Sequence, residues 1–348
     1  MRRREQPNIL TSINGSILVI GSRNSGKTSF VKLLQQSLAL PPYKHPSPPP
    51  EGMVSSAQHS NQDGFCSQYV EGEFDGERVG LTLWDSDGLD RNVVDIQLRG
   101  IVGFLEGKFQ DTLAEEIRVV RSPQVRDTHI HCAILLLDPV NLDRNIAAAK
   151  RAAQGKSRTT DPRLVGILDA EMDVQVLRAI HGKTTVVPVI AKADMVTTSH
   201  MGHLKMAVWD SLKKAKIDPL ETLALEEQDS DEEDAPGDSD NEEEYKSPPE
   251  GSIIPFSILS PDPETIESGD NAGRRFPWGF SDPYDSGHCD FVSLKESVFS
   301  EWRNELRTAC REICYERWRT NLLDRKGSLS PDPQIAAATR GLRLSNEN

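Results

Sequence analysis

Gly21-Ser22-Arg23-Asn24-Ser25-Gly26-Lys27-Thr28 follows directly on the apolar run Ile17 to Ile20. It leads into Phe30, Leu33, Leu34 and Leu38, apolar positions at helical spacing. The octet fits G-x-x-x-x-G-K-[ST] in the context that motif requires, with a strand before it and a helix after it. Glycine at Gly21 and Gly26 lets the backbone curl until successive N–H groups point at phosphate oxygens. The helix that starts there adds its positive end. Asn24, Ser25, Gly26, Lys27, Thr28 and Ser29 are therefore expected against phosphates. Lys27 would reach the β- and γ-phosphates and Thr28 would ligate Mg²⁺.

A second run, Val79 to Trp84, ends in Asp85-Ser86-Asp87-Gly88. A carboxylate at the C-terminal end of a strand stands where open α/β sheets gather their ligand groups. Asp85 there can hold Mg²⁺ through water, with the Gly88 amide near the γ-phosphate. On its own the motif is weak, and Asp85 would serve equally as a turn cap. Third in order comes Ala191-Lys192-Ala193-Asp194 behind the strand Thr185 to Ile190. A carboxylate at Asp194 can accept two hydrogen bonds from the N1 and N2 edge of guanine, which adenine cannot supply. The Lys192 stem would lie against the base. A site built around such a demand rejects the base that leaves its carboxylate unpaired. Order and spacing together point to a guanosine nucleotide, GTP or GDP, with Mg²⁺, and count against an ATP-using enzyme.

Around these motifs the chain of 348 residues carries 36% apolar residues, enough for one sizeable core but lean for its full length. The formal charge is −14, yet twelve acidic residues and no Lys or Arg fall between Glu226 and Glu244, so the remainder sums to −2. No broad basic face is left over for nucleic acid. The five cysteines show no zinc spacing, and Cys310 with Cys314 reads as a packing pair on one helix face. No apolar stretch reaches the roughly 18 residues of a membrane span, and no signal peptide is evident. The expectation is a soluble protein of a reducing, cytoplasmic compartment.

Strands are expected at Ser67 to Phe74, Val79 to Trp84, His131 to Leu137, Thr185 to Ile190 and Ile253 to Leu259. Helices are expected over Val93 to Val120 and Asp169 to Ile180. Three inserts, about 41–63, 141–163 and 226–250, are expected to be disordered. Leu294, Val298, Trp302, Leu306, Cys310 and Ile313 recur every three or four residues and predict a long amphipathic helix. Beyond Arg325 no heptads follow, so no coiled coil is expected in a disordered 323–348 tail. Strands alternating with helices give an α/β class, a three-layer P-loop NTPase fold with a mostly parallel central sheet.

Three further stretches go beyond a generic GTPase. The first runs from Ile101-Val102-Gly103-Phe104-Leu105-Glu106 to Arg126-Asp127-Thr128-His129-Ile130-His131-Cys132. The second is Val187 to Asp194. The third is Gly273-Arg274-Arg275-Phe276-Pro277-Trp278-Gly279, continued by Cys289-Asp290-Phe291 and Tyr315-Glu316-Arg317-Trp318-Arg319. In content and order they resemble the septin family, over about Asn14 to Leu322. The resemblance implies a G domain at 14–322 with a C-terminal extension ending in a long helix. It also implies a GTP/GDP-binding cytoskeletal subunit that joins other septin subunits in hetero-oligomeric filaments at the cell cortex or division site. By that resemblance Arg274 lies beside the guanine and Ser260 approaches the base through its backbone. Trp278 falls at an interface formed across two nucleotide sites; its other reading is a core aromatic.

The departures are equally specific. Asn24 stands where septins usually have glycine, and Asp87 where they have proline. The histidine-bearing loop that crosses the interface in many septins is not recognisable near 154–161. Leu89 replaces the glutamine that many GTPases carry after D-x-x-G, and no threonine occurs between Thr28 and Thr82. Very slow or absent hydrolysis is therefore expected. A free-standing small GTPase switch is the alternative. The basic segment 1–13, with Arg2-Arg3-Arg4, suggests at most a weak anionic-lipid contact. Ser230 and Ser239 sit in an acidic context that suits acidophilic kinases.

Overall fold

The computed structural model describes residues 13–40, 61–62, 64–74, 76–117, 127–156, 158, 161–223, 254–267 and 272–328. The proline-rich stretch 41–60, the acidic run with Ser230 and Ser239, Arg2 to Arg4 and the tail from 329 onward lie outside them.

Strand β1 (Ile13–Gly21) is followed by α1 (Lys27–Leu38), β2 (Asn61–Gln62), β3 (Phe65–Phe74) and β4 (Glu77–Ser86). Then come α2 (Val94–Ile117), β5 (Cys132–Leu137), α3 (Pro139–Ala153), β6 (Leu164–Val165) and β7 (Leu168–Asp169). After α4 (Asp173–Ile180) the chain enters β8 (Thr185–Ile190), α5 (Thr198–Ala215), β9 (Phe256–Ser257) and α6 (Pro263–Glu267). The hairpin β10 (Arg274–Phe276) and β11 (Gly279–Ser281) precedes the C-terminal helical run, α7 (Phe291–Glu296), α8 (Arg303–Thr308) and α9 (Glu316–Ser328), joined by π-helical turns.

Seven strands form one sheet in the order β2-β3-β4-β1-β5-β8-β9. From β4 to β9 every pairing is parallel; β3 against β4 and β2 against β3 are antiparallel. Central parallel strands must bury both faces, and the side chains alternate accordingly. Ile17, Val19, Ile134, Val187 and Val189 face a core shared with α1 and the C-terminal run. Leu18, Ile20, Leu135, Val186 and Ile190 face the opposite core, closed by α2, α4 and α5. This is the three-layer α/β architecture expected, with β1, β5 and β8 ending side by side at the edge where the motifs lie.

Two expectations need correction. Residues 141–163 are not an irregular insert throughout, since α3 runs to Ala153. Asp138 caps its start, accepting from the Val140 N–H at 3.1 Å, with Pro139 at the first position. Leu142, Asn145 and Ala148 form its buried stripe; good helix formers such as Ala, Lys and Arg disguised it as a polar loop. The second is α5, which the expectations above leave unassigned. Its buried Met201, Leu204, Val208, Leu212 and Ala215 recur at helical spacing behind the capping Thr197. The signal was present. Shorter elements also differ: only Phe256–Ser257 of the expected Ile253 to Leu259 strand pairs in the sheet, the helix expected from Asp169 begins at Asp173 because β7 takes Asp169, β2 falls within the insert expected to be disordered at 41–63, and α9 continues as helix through Ser328 into the expected disordered tail 323–348.

The C-terminal run is amphipathic as expected, but Trp302 (φ −92°, ψ 1°) and two π turns interrupt its regular winding. It is tied to α2 by an aromatic cluster. Phe109 packs tilted against Tyr315 and Trp318 with ring centroids 5.8 and 5.7 Å away, and meets His129 edge-on at 5.0 Å. The Tyr315 hydroxyl donates to Glu116 Oε2 at 2.7 Å. Cys310 and Cys314 are buried in the same cluster, as packing thiols should be. Among the described residues no helix is long and apolar enough to cross a membrane.

Beside that cluster Asp127 holds its neighbours together. Its Oδ2 pairs with His131 Nε2 at 2.9 Å, and Oδ1 accepts from the His129 N–H at 3.1 Å. Although burial raises its pKa, these bonds and the two imidazoles hold its carboxyl well below the usual carboxylate range. Burial also lowers the His129 pKa, against the pull of Asp127. Both groups bind fewer protons folded than unfolded, so their contribution is full near neutrality and is lost as pH falls. The Asp127→Asn variant is expected to lose about 1–3 kcal/mol at pH 7 and to show a shallower loss of stability below about pH 4. Urea unfolding across pH 3–7 measures this; parallel pH profiles for the two proteins would contradict it.

Candidate functional site

The P-loop bends through two left-handed residues, Asn24 (φ 62°) and Gly26 (φ 93°). Asparagine is among the few side-chain-bearing residues that tolerate this conformation, which explains why the substitution at Asn24 preserves the loop. At Gly26 a Cβ would lie 2.6 Å from Ser260 Oγ, so the loop packs directly against the segment after β9. Lys27 is only 7% exposed and donates to the Ser22 carbonyl at 2.9 Å, bracing the loop across its own mouth. Burial lowers the ammonium pKa, while Asp85 and Asp87 oppose the shift. Ser25 is fully buried with its hydroxyl unpartnered, and Ser29 lies in the first turn of α1.

Thr28 and Asp85 come together as expected: Thr28 Oγ1 donates to Asp85 Oδ2 at 2.6 Å. The other carboxylate oxygen, Oδ1, is buried with no partner. Burial raises the Asp85 pKa, while Thr28 and Lys27 pull it down. Among the described residues no cluster of three or more His, Cys, Asp or Glu could hold a metal unaided. A hydroxyl and a carboxylate with a free oxygen nonetheless suit Mg²⁺, which usually keeps several waters and takes phosphate oxygens beside one or two protein ligands. Thr28 and Asp85 are the residues that could hold it.

The second phosphate motif is pinned to the first. Leu89 N–H donates to the Gly21 carbonyl at 3.0 Å and the Leu89 carbonyl accepts from Arg23 N–H at 3.1 Å. A Cβ at Gly88 would lie 2.7 Å from Arg23 Cα, so only glycine permits this approach. Gln97 locks the turn further, its amide bonding Asp90 N–H at 2.9 Å and the Gly88 carbonyl at 3.1 Å. Leu89 itself is 4% exposed, turned into the core.

At the base end, Asp194 Oδ1 accepts from Ser260 N–H at 3.1 Å and Oδ2 from Arg274 Nη1 at 2.9 Å. Each oxygen keeps one lone pair beyond these bonds. The Asp194 side chain has no exposed surface, and Arg274 is about a third exposed. A base edge reaching the carboxylate must therefore enter beside that guanidinium. Lys192, itself left-handed (φ 56°), sends its ammonium to Asp138 Oδ2 at 2.9 Å. Ser260 lies against Gly26 on one side and donates to Asp194 on the other, so the P-loop and the Asp194 segment meet around it.

Asp138 and Gln97 were missed by sequence reasoning. Asp138 could have been found, because it ends β5 as Asp85 nearly ends β4; Gln97 carries no signal of its own. A larger cavity of about 380 Å³ lies beside Ser22 between α3 and α4. Among its charged walls Arg91 pairs with Asp169 and Arg151 with Asp161, and Lys27, Thr28 and Asp194 do not line it. Trp278 sits on the β10–β11 hairpin, 83% exposed and stacked on Phe276 at 5.3 Å, so the core-aromatic alternative is excluded.

The septin family model matches residues 11–146 and 164–332, nearly the whole described chain. The chain belongs to the septin family. The unmatched stretch between, 147–163, covers the end of α3 and the loop closed by Arg151 and Asp161, where this septin departs from its relatives. Cell division control protein 11 of Saccharomyces cerevisiae is 23% identical over 327 residues, covering 92% of this chain and 69% of the relative. Mouse Septin-1 is 27% identical over 314 residues, covering 88% and 73%. In fold, this septin is similar to the crystal structure of the septin GTPase domain from Chlamydomonas reinhardtii. The TM-score is 0.53 at 18% identity, with 90% of this chain and all of that one covered. It is a septin-like cytoskeletal subunit with a guanine nucleotide-binding fold.

Proposed function

We propose that this septin binds GTP or GDP with Mg²⁺ in the groove between the P-loop and Asp194, and that the bound nucleotide chiefly supports assembly with other septin subunits. The single observation that supports this is Ser260, which lies against Gly26 and bonds Asp194 and so brings the two motifs next to each other. In that reading Gly21 and residues Asn24 to Ser29 cradle phosphates, Thr28 and Asp85 hold the metal, and Gly88 lies toward the γ-phosphate. Asp194 selects guanine, Lys192 lies along the base held by Asp138, and Arg274 lies beside it. A bound metal would neutralise phosphate charge.

Hydrolysis is expected to be very slow or absent. Leu89 is buried and held by both its backbone groups, so no side chain at that position can orient an attacking water. The Gln97 amide, beside Gly88, is spent on backbone partners. Single-turnover assays with purified protein should show no release of phosphate above the uncatalysed background within hours; turnover on the minute scale would overturn this.

Filament formation at the cell cortex or division site follows the same reading. An exposed tryptophan stacked on Phe276 is the kind of anchor that dominates interfaces. Trp278→Ala is expected to weaken assembly by at least about tenfold, since central interface aromatics contribute about 2 kcal/mol or more. Sedimentation of co-expressed subunits at low and high salt tests this, and unchanged complexes would count against Trp278 as an anchor. Any anionic-lipid contact through Arg2 to Arg4 is weak, about 1 kcal/mol per residue at a membrane surface.

A further inference from the structure

Asp87 is the departure that the reading above leaves without a role. It lines a chamber of about 210 Å³ together with Lys27, Thr28, Cys66, Asp85 and Gly88, on the side of the P-loop away from Asp194. This is where a phosphate beyond the β position would lie. The Asp87 backbone is fixed there, its N–H donating to the Gly64 carbonyl at 3.0 Å. Its carboxyl is turned toward β3, with Oδ2 2.9 Å from where a Gly64 Cβ would stand.

The charge balance of the chamber follows from its lining. Lys27 is its buried cation, and the same wall carries two carboxylates, Asp85 and Asp87. Arg23, the other cation among the described residues of the wall, is exposed and screened by solvent. Mg²⁺ on Thr28 and Asp85 would offset the phosphate charge common to both nucleotides. The additional negative charge of a γ-phosphate would arrive beside Asp87 with Lys27 shared between it and the β-phosphate, and with no further buried cation among the described residues of the wall. Like charges held a few ångströms apart disfavour the doubly charged arrangement.

Resting on the guanine-nucleotide reading, we propose that Asp87 is a specificity-determining residue that makes this a GDP-preferring site by electrostatic rejection of the γ-phosphate. Asp87 is exposed, so the effect is moderate and depends on salt.

The test is calorimetric titration of the full, nucleotide-stripped chain with GDP and with GTPγS, in Mg²⁺ and in chelator. The expected preference for GDP is about tenfold at low salt, one like-charge contact at a partly solvated site. Asp87→Asn should bring the two affinities within about twofold, with the change falling on the GTPγS arm. If that variant fails to fold, the wild-type chain still decides, because the preference must shrink as salt is raised from about 50 to about 500 mM. Equal affinities in the wild type, a ratio unmoved by salt or by Asp87→Asn, or a variant that loses GTPγS only in Mg²⁺ would each overturn the proposal. The last outcome would make Asp87 a metal ligand instead. Binding of neither guanosine nucleotide would overturn the underlying reading, which separates the two failures.

Discussion

Asp194→Asn is expected to lower affinity for guanosine nucleotides by at least about a hundredfold and to create affinity for xanthosine nucleotides. The carboxylate is fully covered, and each of its oxygens already carries one protein hydrogen bond, from Ser260 N–H and from Arg274. Its remaining lone pairs match the two donors on the guanine edge. An amide offers one acceptor and one donor, so the guanine amino group would meet an N–H. A charge-assisted bond is lost, worth about 1.5–3 kcal/mol, and a buried donor is left unsatisfied at a further 1–3 kcal/mol. Together these come to about 2.5–6 kcal/mol, centred above the roughly 2.7 kcal/mol of a hundredfold change. Xanthine carries a carbonyl at that position, which the amide N–H can satisfy. Competition binding with the two nucleotide diphosphates reads the swap directly. An Asp194→Asn protein that kept its guanosine affinity would remove Asp194 from the site.

The second large effect concerns the joint between α2 and the C-terminal helical run. Phe109 is fully buried among His129, Tyr315 and Trp318. Truncating a buried phenylalanine removes its transfer free energy and leaves a cavity, typically costing about 3–5 kcal/mol. Phe109→Ala is expected to destabilise by that amount, measured as a shift in the urea midpoint at constant slope. Ile96→Ala on the same helix is the control, because Ile96 is exposed and such positions stay within about 0.5 kcal/mol. A Phe109→Ala midpoint matching that of Ile96→Ala would show that the aromatic cluster does not hold the two elements together.

Much of this architecture was legible from residue pattern alone. The β1 strand and α1 helix announce themselves because a short apolar run meets a glycine turn and then a three-four periodicity. Buried β5 and β8 stand out as uninterrupted apolar segments of strand length. Asp85 and Asp194 could be placed because open sheets gather function at strand ends, and Asp194 does lie with the P-loop around Ser260.

What stayed hidden was set by contacts distant in sequence. The Asp138–Lys192 pair joins residues 54 positions apart, and nothing local to either reveals it. The burial of α3 depends on where the sheet offers it an apolar surface; Arg151, Lys150 and Lys156 made that stretch read as solvent-exposed. Trp278 was undecided because aromatic composition does not tell whether a turn between two short strands faces solvent or the core. Here the hairpin turns it to solvent, with Phe276 as its support. Asn24 and Asp87 could be named as departures but not weighed, since one proves neutral to the loop and the other changes the charge of a chamber only the folded chain defines.

The account rests on Lys27 and Asp194 gripping the two ends of one nucleotide. Equilibrium titration of the stripped chain with GDP and ADP in parallel tests that most directly. Saturable binding of GDP with ADP at least about a hundredfold weaker is predicted, the discrimination a buried polar contact imposes on a base lacking its partner. Equal affinity for the two, or a chain that binds neither, would contradict it.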